Sequence, residues 1–236
     1  MIKAVCFDFF NTLATYDPPR EEAYVNACRE LGIEVEAKTL FHSLPAADMY
    51  YRDENSRSPI DKRPEAAKIA FWAEYASKAL RGAGVDTTAE IAVQILAKLR
   101  RYEWKFKAYD DSVPTLEELK DRGLILGLIS NVAQDMESTY KELGLQLYLD
   151  FKVTSFEVGC DKPQPGIFQA ALKKAQVKPG EAIYVGDQYN LDVVGARNVG
   201  MKAMLIDRND YFTDITDCPR IHSLSDIIEY VQADQS

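Results

Sequence analysis

The chain has 236 residues, of which 47% are apolar and 28% are charged. These proportions are ordinary for a globular protein, and they exclude a disordered, collagen-like or mucin-like chain. The formal charge of −9 provides no general attraction for nucleic acid or an anionic membrane, so we expect neither as a partner. An anionic substrate therefore has to meet locally arranged donors or a bound cation.

Five short apolar runs predict buried parallel strands, because each run stops at a polar residue or a Gly-Asp pair. The runs are 2–7 before Asp8, 124–129 before Ser130, 151–154 before Ser155, 182–185 before Gly186-Asp187 and 202–206 before Asp207. Helical patterns follow them at 114–121, 135–143, 165–176, 191–199 and 225–231. This alternation favours an α/β fold, a doubly wound parallel sheet with a Rossmann-like core. Ligands of such sheets bind outside the carboxyl ends of the strands, so we expect the polar residues to meet at one edge.

The middle of the first half of the chain contains almost no strand-like run. Apolar periodicity predicts helices at 20–31 and 64–80, and Thr87 to Glu90 have the pattern of a capping box that opens another helix. We therefore predict two domains. These are a Rossmann-like catalytic core of residues 1–15 and 110–236, and an all-helical cap of residues 16–109 inserted between the first two strands of the core.

The cysteine pattern and the apolar segments bear on the compartment. The four cysteines have no zinc-type spacing, and scattered thiols in a chain of this length fit a reducing environment. The first apolar run is cut by Asp8, so it does not resemble a signal peptide. The longest strongly apolar stretch, 124–129, is too short to span a bilayer. We expect a cytoplasmic monomer or homodimer that acts on a small molecule.

Four polar segments fall at the predicted edge of the sheet: 8–13, 130–131, 161–163 and 186–192. A carboxylate such as Asp8 is a competent nucleophile towards an electrophilic centre. Phosphoryl transfer also needs positive charge on the non-bridging oxygens, which Lys162 and a divalent cation would supply. Mg²⁺ prefers oxygen ligands and is usually held by one or two carboxylates, which Asp8 and Asp187 offer. A hydroxyl such as that of Ser130 would donate to a phosphate oxygen.

In order and spacing, these segments resemble the motifs of the haloacid dehalogenase superfamily, in its members with a helical cap after the first strand. The matches are Asp8 to Leu13 (Asp-x-x-x-Thr-Leu), Ser130, Lys162-Pro163, and Gly186-Asp187 to Asp192 (Gly-Asp-x-x-x-x-Asp). The resemblance covers nearly the whole chain. It implies three catalytic residues: Asp8 as nucleophile, Ser130 and Lys162.

The resemblance also implies how a substrate and a metal would be held. The residues expected at the transferring group are Thr12, Ser130, Asn131 and Lys162. The residues expected at Mg²⁺ are Asp8, the backbone carbonyl of Phe10 and Asp187, with Asp192 fixing the water molecules of the ion. The cap would exclude water and select the substrate.

One residue departs from the phosphatase pattern. Phosphatases of this superfamily usually carry an Asp two residues after the nucleophile as general acid and base, and Phe10 can fill neither role. An aromatic residue there resembles the metal-independent 2-haloacid dehalogenases, whose reaction needs no acid for the leaving group. Those enzymes, however, typically carry a Ser at the position of Asp187, and they use a cap arginine, for which Arg20 and Arg52 are candidates.

We therefore predict a Mg²⁺-dependent phosphatase that acts on a small phosphorylated metabolite through an aspartyl-phosphate. The missing acid predicts slow turnover, a substrate with a good leaving group, or an acid supplied from the cap. The first alternative is a metal-independent 2-haloacid dehalogenase. The second is a non-catalytic binding or scaffold protein on the same fold.

Overall fold

The computed structural model describes residues 1–235, with the side chains of residues 1–232. In chain order its helices and strands are β1 (Ala4–Phe7), β2 (Ala14–Asp17), α1 (Arg20–Arg29), α2 (Ala37–Arg57), α3 (Glu65–Gly82), α4 (Ala89–Leu99), β3 (Lys105–Ala108), α5 (Ser112–Asp121), β4 (Ile125–Ser130), α6 (Glu137–Glu142), β5 (Phe151–Thr154), α7 (Ser155–Val158), α8 (Pro165–Ala175), β6 (Ala182–Gly186), α9 (Val194–Asn198), β7 (Lys202–Ile206), β8 (Arg220–Ile221) and α10 (Ile227–Gln235).

The chain divides into two compact units. The helical unit comprises Tyr16–Lys105, and the core unit comprises Met1–Thr15 together with the chain from Phe106 onward. Within the described residues, no helix of either unit is both long and apolar enough to cross a membrane.

The core unit is built on a parallel sheet, which confirms the predicted α/β fold. Within residues 1–235 the sheet has six strands in the order β5-β4-β1-β6-β7-β8, and every neighbouring pair is parallel. Strand β1 lies between β4 and β6, with Phe7 opposite both Leu128 and Val185. This register places the residue after β1, Asp8, level with the carboxyl ends of its two neighbours.

Both faces of the sheet are buried, which explains why its strands are continuous apolar runs. Successive side chains of a strand point to opposite faces. Val5 and Phe7 of β1 pack in one apolar cluster, together with residues of α5, α6 and α10. Ala4 and Cys6 pack in the other cluster, together with residues of α8 and α9. Because helices cover both faces, a strand of the sheet has no face left for polar residues.

The helical unit has its own apolar cluster, drawn from α1, α2, α3 and α4. The predicted capping box is displaced by one residue, since Thr88 rather than Thr87 caps α4 and accepts a hydrogen bond from the backbone N–H of Ile91 at 3.3 Å. The Thr87 hydroxyl lies instead 3.2 Å from that of Ser77.

Three short strands are missing from the predicted elements. β2 and β3 form a separate two-stranded sheet, and β8 is two residues long. In β3 the residues alternate between exposed and half-buried, so this strand has no buried apolar run of the kind that marks β1. The predicted helix at 191–199 begins as a π-helical turn at Tyr189–Val193 and continues as α9.

Candidate active site

The carboxyl edge of the sheet brings together the acidic residues that the sequence places at strand ends. Asp8 follows β1, Asp187 follows β6, and Asp192 lies in the π-helical turn after β6. All three are buried, and each offers a carboxylate oxygen within 4.8 Å of those of the other two. We call these three residues the acidic cluster.

Lys162, in the loop before α8, provides positive charge beside the acidic cluster. Its Nζ donates hydrogen bonds to Oδ1 of Asp8 at 2.7 Å, to Oδ1 of Asp192 at 2.7 Å and to the Tyr184 hydroxyl at 2.9 Å. These three bonds use all three protons of the ammonium. Burial alone would lower the pKa of Lys162, but the charges of Asp192 and Asp8 outweigh it, and the pKa lies above its usual value. The side chain is therefore held as a cation.

Burial also raises the pKa of two carboxyl groups of the acidic cluster. It raises the pKa of Asp8 to about 6, with Asp192 adding to the effect and Lys162 opposing it. Burial, together with the charges of Asp8 and Asp192, raises the pKa of Asp187 well above its usual value. When all three residues are ionised, one ammonium faces three carboxylates, so two negative charges stay uncompensated.

The donor set suits a divalent cation of the Mg²⁺ type. Mg²⁺ takes oxygen ligands, commonly one or two carboxylates and several waters, and a charge of +2 matches the excess negative charge of the acidic cluster. The chemistry of Asp8 and Asp187 therefore fits the predicted metal. The part of the Phe10 carbonyl in binding the ion stays a prediction.

The loop after β1 is held in a tight turn. The N–H of Asn11 donates to the carbonyl of Ala14 at 2.7 Å, and Leu13 and Ala14 both donate to the carbonyl of Phe9. Asn11 has a φ of 57°, a left-handed conformation that Asn tolerates better than most residues. Phe10 is half-buried and packs against the apolar cluster of the core unit, so no proton donor stands at this position.

The remaining predicted site residues occupy different surroundings. Ser130 ends β4 with its side chain buried. Asn131 holds the backbone of Lys162, since Nδ2 donates to the Lys162 carbonyl at 3.1 Å and Oδ1 accepts from the Lys162 N–H at 2.7 Å. The Thr12 hydroxyl is buried without a hydrogen-bond partner among the described residues. Contact of these three residues with a substrate stays a prediction.

Several residues outside the predicted set contribute to this site. Tyr184 belongs to the apolar run of β6, yet its hydroxyl contacts Lys162, lies 3.1 Å from Asp192 and donates to the carbonyl of Ile129 at 3.0 Å. A buried tyrosine hydroxyl needs a polar partner, and this requirement was the available signal. Gly186 is also constrained, because a Cβ there would lie 2.6 Å from the Cβ of Asp192.

Two side-chain amides outside the predicted set also contact Asp187. Asn11 donates from Nδ2 to Oδ2 of Asp187 at 3.2 Å, and Gln188 donates from Nε2 to the same oxygen at 2.8 Å. The backbone N–H of Gln188 also donates to Oδ2 of Asp192 at 2.9 Å. No residue pattern in the sequence marks these contacts.

Arg20, a candidate for the cap arginine of a dehalogenase, is held inside the helical unit. Its guanidinium donates to both oxygens of Asp48, at 2.7 and 2.9 Å. The Tyr75 hydroxyl donates to the same carboxylate at 2.6 Å. The positive charge of Arg20 is therefore matched by a bidentate carboxylate of its own unit.

Comparisons with known proteins identify the family of this chain. Residues 2–200 match a family described as haloacid dehalogenase-like hydrolase. The human haloacid dehalogenase-like hydrolase domain-containing protein 3 is 32% identical over 208 residues, 87% of this chain and 82% of that protein. Glyceraldehyde 3-phosphate phosphatase of Methanopyrus kandleri is 31% identical over 218 residues, 89% of this chain and 86% of that protein. A solved structure of 2-haloacid dehalogenase from Pseudomonas syringae is 26% identical, covers 100% of both chains and has a TM-score of 0.57.

Proposed function

This chain belongs to the haloacid dehalogenase-like hydrolases, and from that premise we propose that it is a Mg²⁺-dependent phosphatase of small phosphorylated metabolites. The proposal rests on the buried acidic cluster, which in its fully ionised form carries two negative charges beyond the one that Lys162 compensates and so favours a divalent cation beside the nucleophile. The similarity to a glyceraldehyde 3-phosphate phosphatase supports it. The function of the helical unit as a cap stays a prediction.

Asp8 is proposed to attack the phosphorus through a carboxylate oxygen. A bond from this oxygen to phosphorus forms while the bond to the leaving oxygen breaks, and water then releases phosphate and regenerates Asp8. With a pKa of about 6, Asp8 is largely ionised at neutral pH, as a nucleophile has to be. Lys162 orients Asp8 and offsets charge on the phosphoryl oxygens, and Ser130 donates to one of them. A bound Mg²⁺ would supply further charge neutralisation.

The leaving oxygen receives no proton from position 10, because Phe10 has no acidic group. General acid catalysis typically contributes 10²–10⁴-fold to the rate. We therefore propose that the enzyme favours phosphate bound to an acidic leaving group, such as an acyl or enol oxygen. An ordinary alkyl ester would be turned over slowly.

A dehalogenase is the second candidate, and Phe10 favours it, because displacement of halide from carbon needs no acid for the leaving group. The similarity to a 2-haloacid dehalogenase supports the same candidate. Two observations weigh against it. Asp187 places a third buried carboxyl group beside Asp8 and Asp192, a set of oxygen donors that suits a bound cation, and the charge of Arg20 is already matched by Asp48.

The deciding experiment measures phosphate and halide release from a panel of phosphate esters, acyl phosphates and 2-haloacids, with Mg²⁺ and with a chelator. We expect phosphate release that requires Mg²⁺ and is lost in Asp8→Asn. Asp121→Asn, at the exposed end of α5, is the matched control and should keep wild-type activity. Halide release that persists with chelator would establish the dehalogenase. No turnover of either class, without Mg²⁺ binding, would indicate the scaffold protein.

A further inference from the structure

We propose that Asn11 and Gln188 are positioning residues that restrict Asp187 to one metal-binding oxygen and so make the site select Mg²⁺ over Ca²⁺. The inference rests on the proposed function, because it concerns the metal of that same site. It assigns a role to two amides that take no part in the chemistry itself.

Both amides donate to the same oxygen of Asp187. Nδ2 of Asn11 lies 3.2 Å from Oδ2, and Nε2 of Gln188 lies 2.8 Å from it. An ionised carboxylate has about four acceptor positions, two on each oxygen. Two donors therefore fill the acceptor positions of Oδ2, and Oδ1 is left for a cation.

The two donors come from different parts of the core unit, so they act as independent restraints. Asn11 lies in the tight turn after β1, and the Thr15 hydroxyl donates to its Oδ1 at 3.4 Å, which directs its NH₂ group towards Asp187. Gln188 follows β6, and its backbone N–H is bonded to Asp192. Rotation of the Asp187 carboxylate would break a hydrogen bond to each of these two segments.

This restraint distinguishes the two ions. Mg²⁺ requires near-octahedral geometry with short oxygen distances, whereas Ca²⁺ accepts six to eight ligands and often takes both oxygens of one carboxylate. A carboxylate with one oxygen occupied by amide donors cannot offer both to a metal. Removing the donors frees Asp187 to bind through both oxygens, which benefits Ca²⁺ and not Mg²⁺.

The test measures the Kd of Mg²⁺ and of Ca²⁺ by calorimetric titration of the full chain. The variants are Asn11→Gly, Gln188→Ala and the pair combined. Glycine suits the left-handed φ of 57° at position 11, so the first substitution removes the amide without straining the turn. Gln176→Gly is the matched control, because Gln176 is an exposed amide residue with a φ of 56° at the end of α8.

Substitution of a residue that hydrogen-bonds to a metal ligand typically changes the affinity for the metal by 10–100-fold. We expect the ratio of the Ca²⁺ Kd to the Mg²⁺ Kd to fall by about tenfold in the double variant, with a smaller fall in each single variant. The control should keep the wild-type ratio. A general loosening of the site would weaken both ions by the same factor and leave the ratio unchanged, so an unchanged ratio overturns the inference.

The outcomes separate this inference from the proposed function. If the wild type binds no Mg²⁺, the proposed metal-dependent phosphatase is wrong. If the wild type binds Mg²⁺ and the variants keep its ratio, the inference alone is wrong. Circular dichroism checks that each variant is folded. If the double variant is unfolded, the ratio of the Ca²⁺ Kd to the Mg²⁺ Kd in the two single variants tests the inference.

Discussion

Replacement of Lys162 by Met is expected to destabilise the protein by about 3–5 kcal/mol at neutral to mildly basic pH in the presence of a chelator. Met retains an unbranched apolar side chain but has no ammonium. Lys162 is 4% exposed and contacts Asp8 and Asp192, which are 7% and 0% exposed. Removal of one partner of a buried ion pair leaves the other charged and desolvated. Here two carboxylates lose their partner together, which places the loss towards the upper end of the range.

The loss of stability in Lys162→Met depends on pH, because Asp8 gains or loses a proton in the relevant pH range. The pKa of Asp8 is about 6 with the ammonium present, and removal of the ammonium raises it further. A raised carboxyl pKa in the folded state makes the free energy of unfolding decrease as the pH rises, because the folded state holds a proton that the unfolded state releases. Above about pH 6 the deficit of the variant should therefore grow by up to about 1.4 kcal/mol per pH unit. At lower pH it should narrow.

Urea unfolding followed by circular dichroism, at about pH 5.5 and about pH 8 with chelator, measures both effects. Lys173→Met, at an exposed lysine of α8, is the control and should change the free energy of unfolding by less than about 0.5 kcal/mol. Addition of Asp192→Asn to Lys162→Met should recover about 1–2 kcal/mol, because one stranded carboxylate becomes neutral. A loss below about 1.5 kcal/mol at the higher pH, or an equal loss at both, would refute the reasoning.

Three further predictions concern packing, the leaving group and the helical unit. Gly186→Ala should cost about 1–3 kcal/mol in thermal unfolding, because its Cβ would overlap Asp192, whereas Gly180→Ala, with open space around the added Cβ, should have little effect. The kcat for aryl phosphates should rise steeply as the pKa of the leaving phenol falls, and Phe10→Asp should flatten this dependence if the missing acid limits the rate. Asp48→Asn should destabilise the protein by about 1–3 kcal/mol in urea unfolding at neutral pH, because the partly buried Arg20 loses the carboxylate that matches its charge. Burial raises the pKa of Asp48, but Arg20 and Tyr75 outweigh it and the folded pKa is lowered, so this difference should be complete above the ordinary carboxyl pKa and be lost as the pH falls through the folded value.

Much of the core unit is predictable from the sequence, because a strand that is buried on both faces consists of a continuous run of apolar residues. The runs that became β1, β4, β5, β6 and β7 were recognised in this way. β8 has two residues and β3 is partly exposed, so neither contains such a run. The helix α2 contains Pro45, a residue that usually interrupts a helix, and its periodicity did not predict it.

The apolar runs and motifs alone predict the α/β fold and the meeting of Asp8, Lys162 and Asp187 at the edge of the sheet, because parallel strands carry the residues that follow them to one side. The excess of acidic over basic residues is therefore concentrated in part at a buried cluster. The tertiary structure decided the contacts within that cluster. The hydroxyl of Tyr184 on β6 reaches Lys162 in the loop before α8, and Asn11 meets Asp187 across 176 residues of chain. Such contacts depend on side-chain directions and distances between distant segments, which no local residue pattern contains.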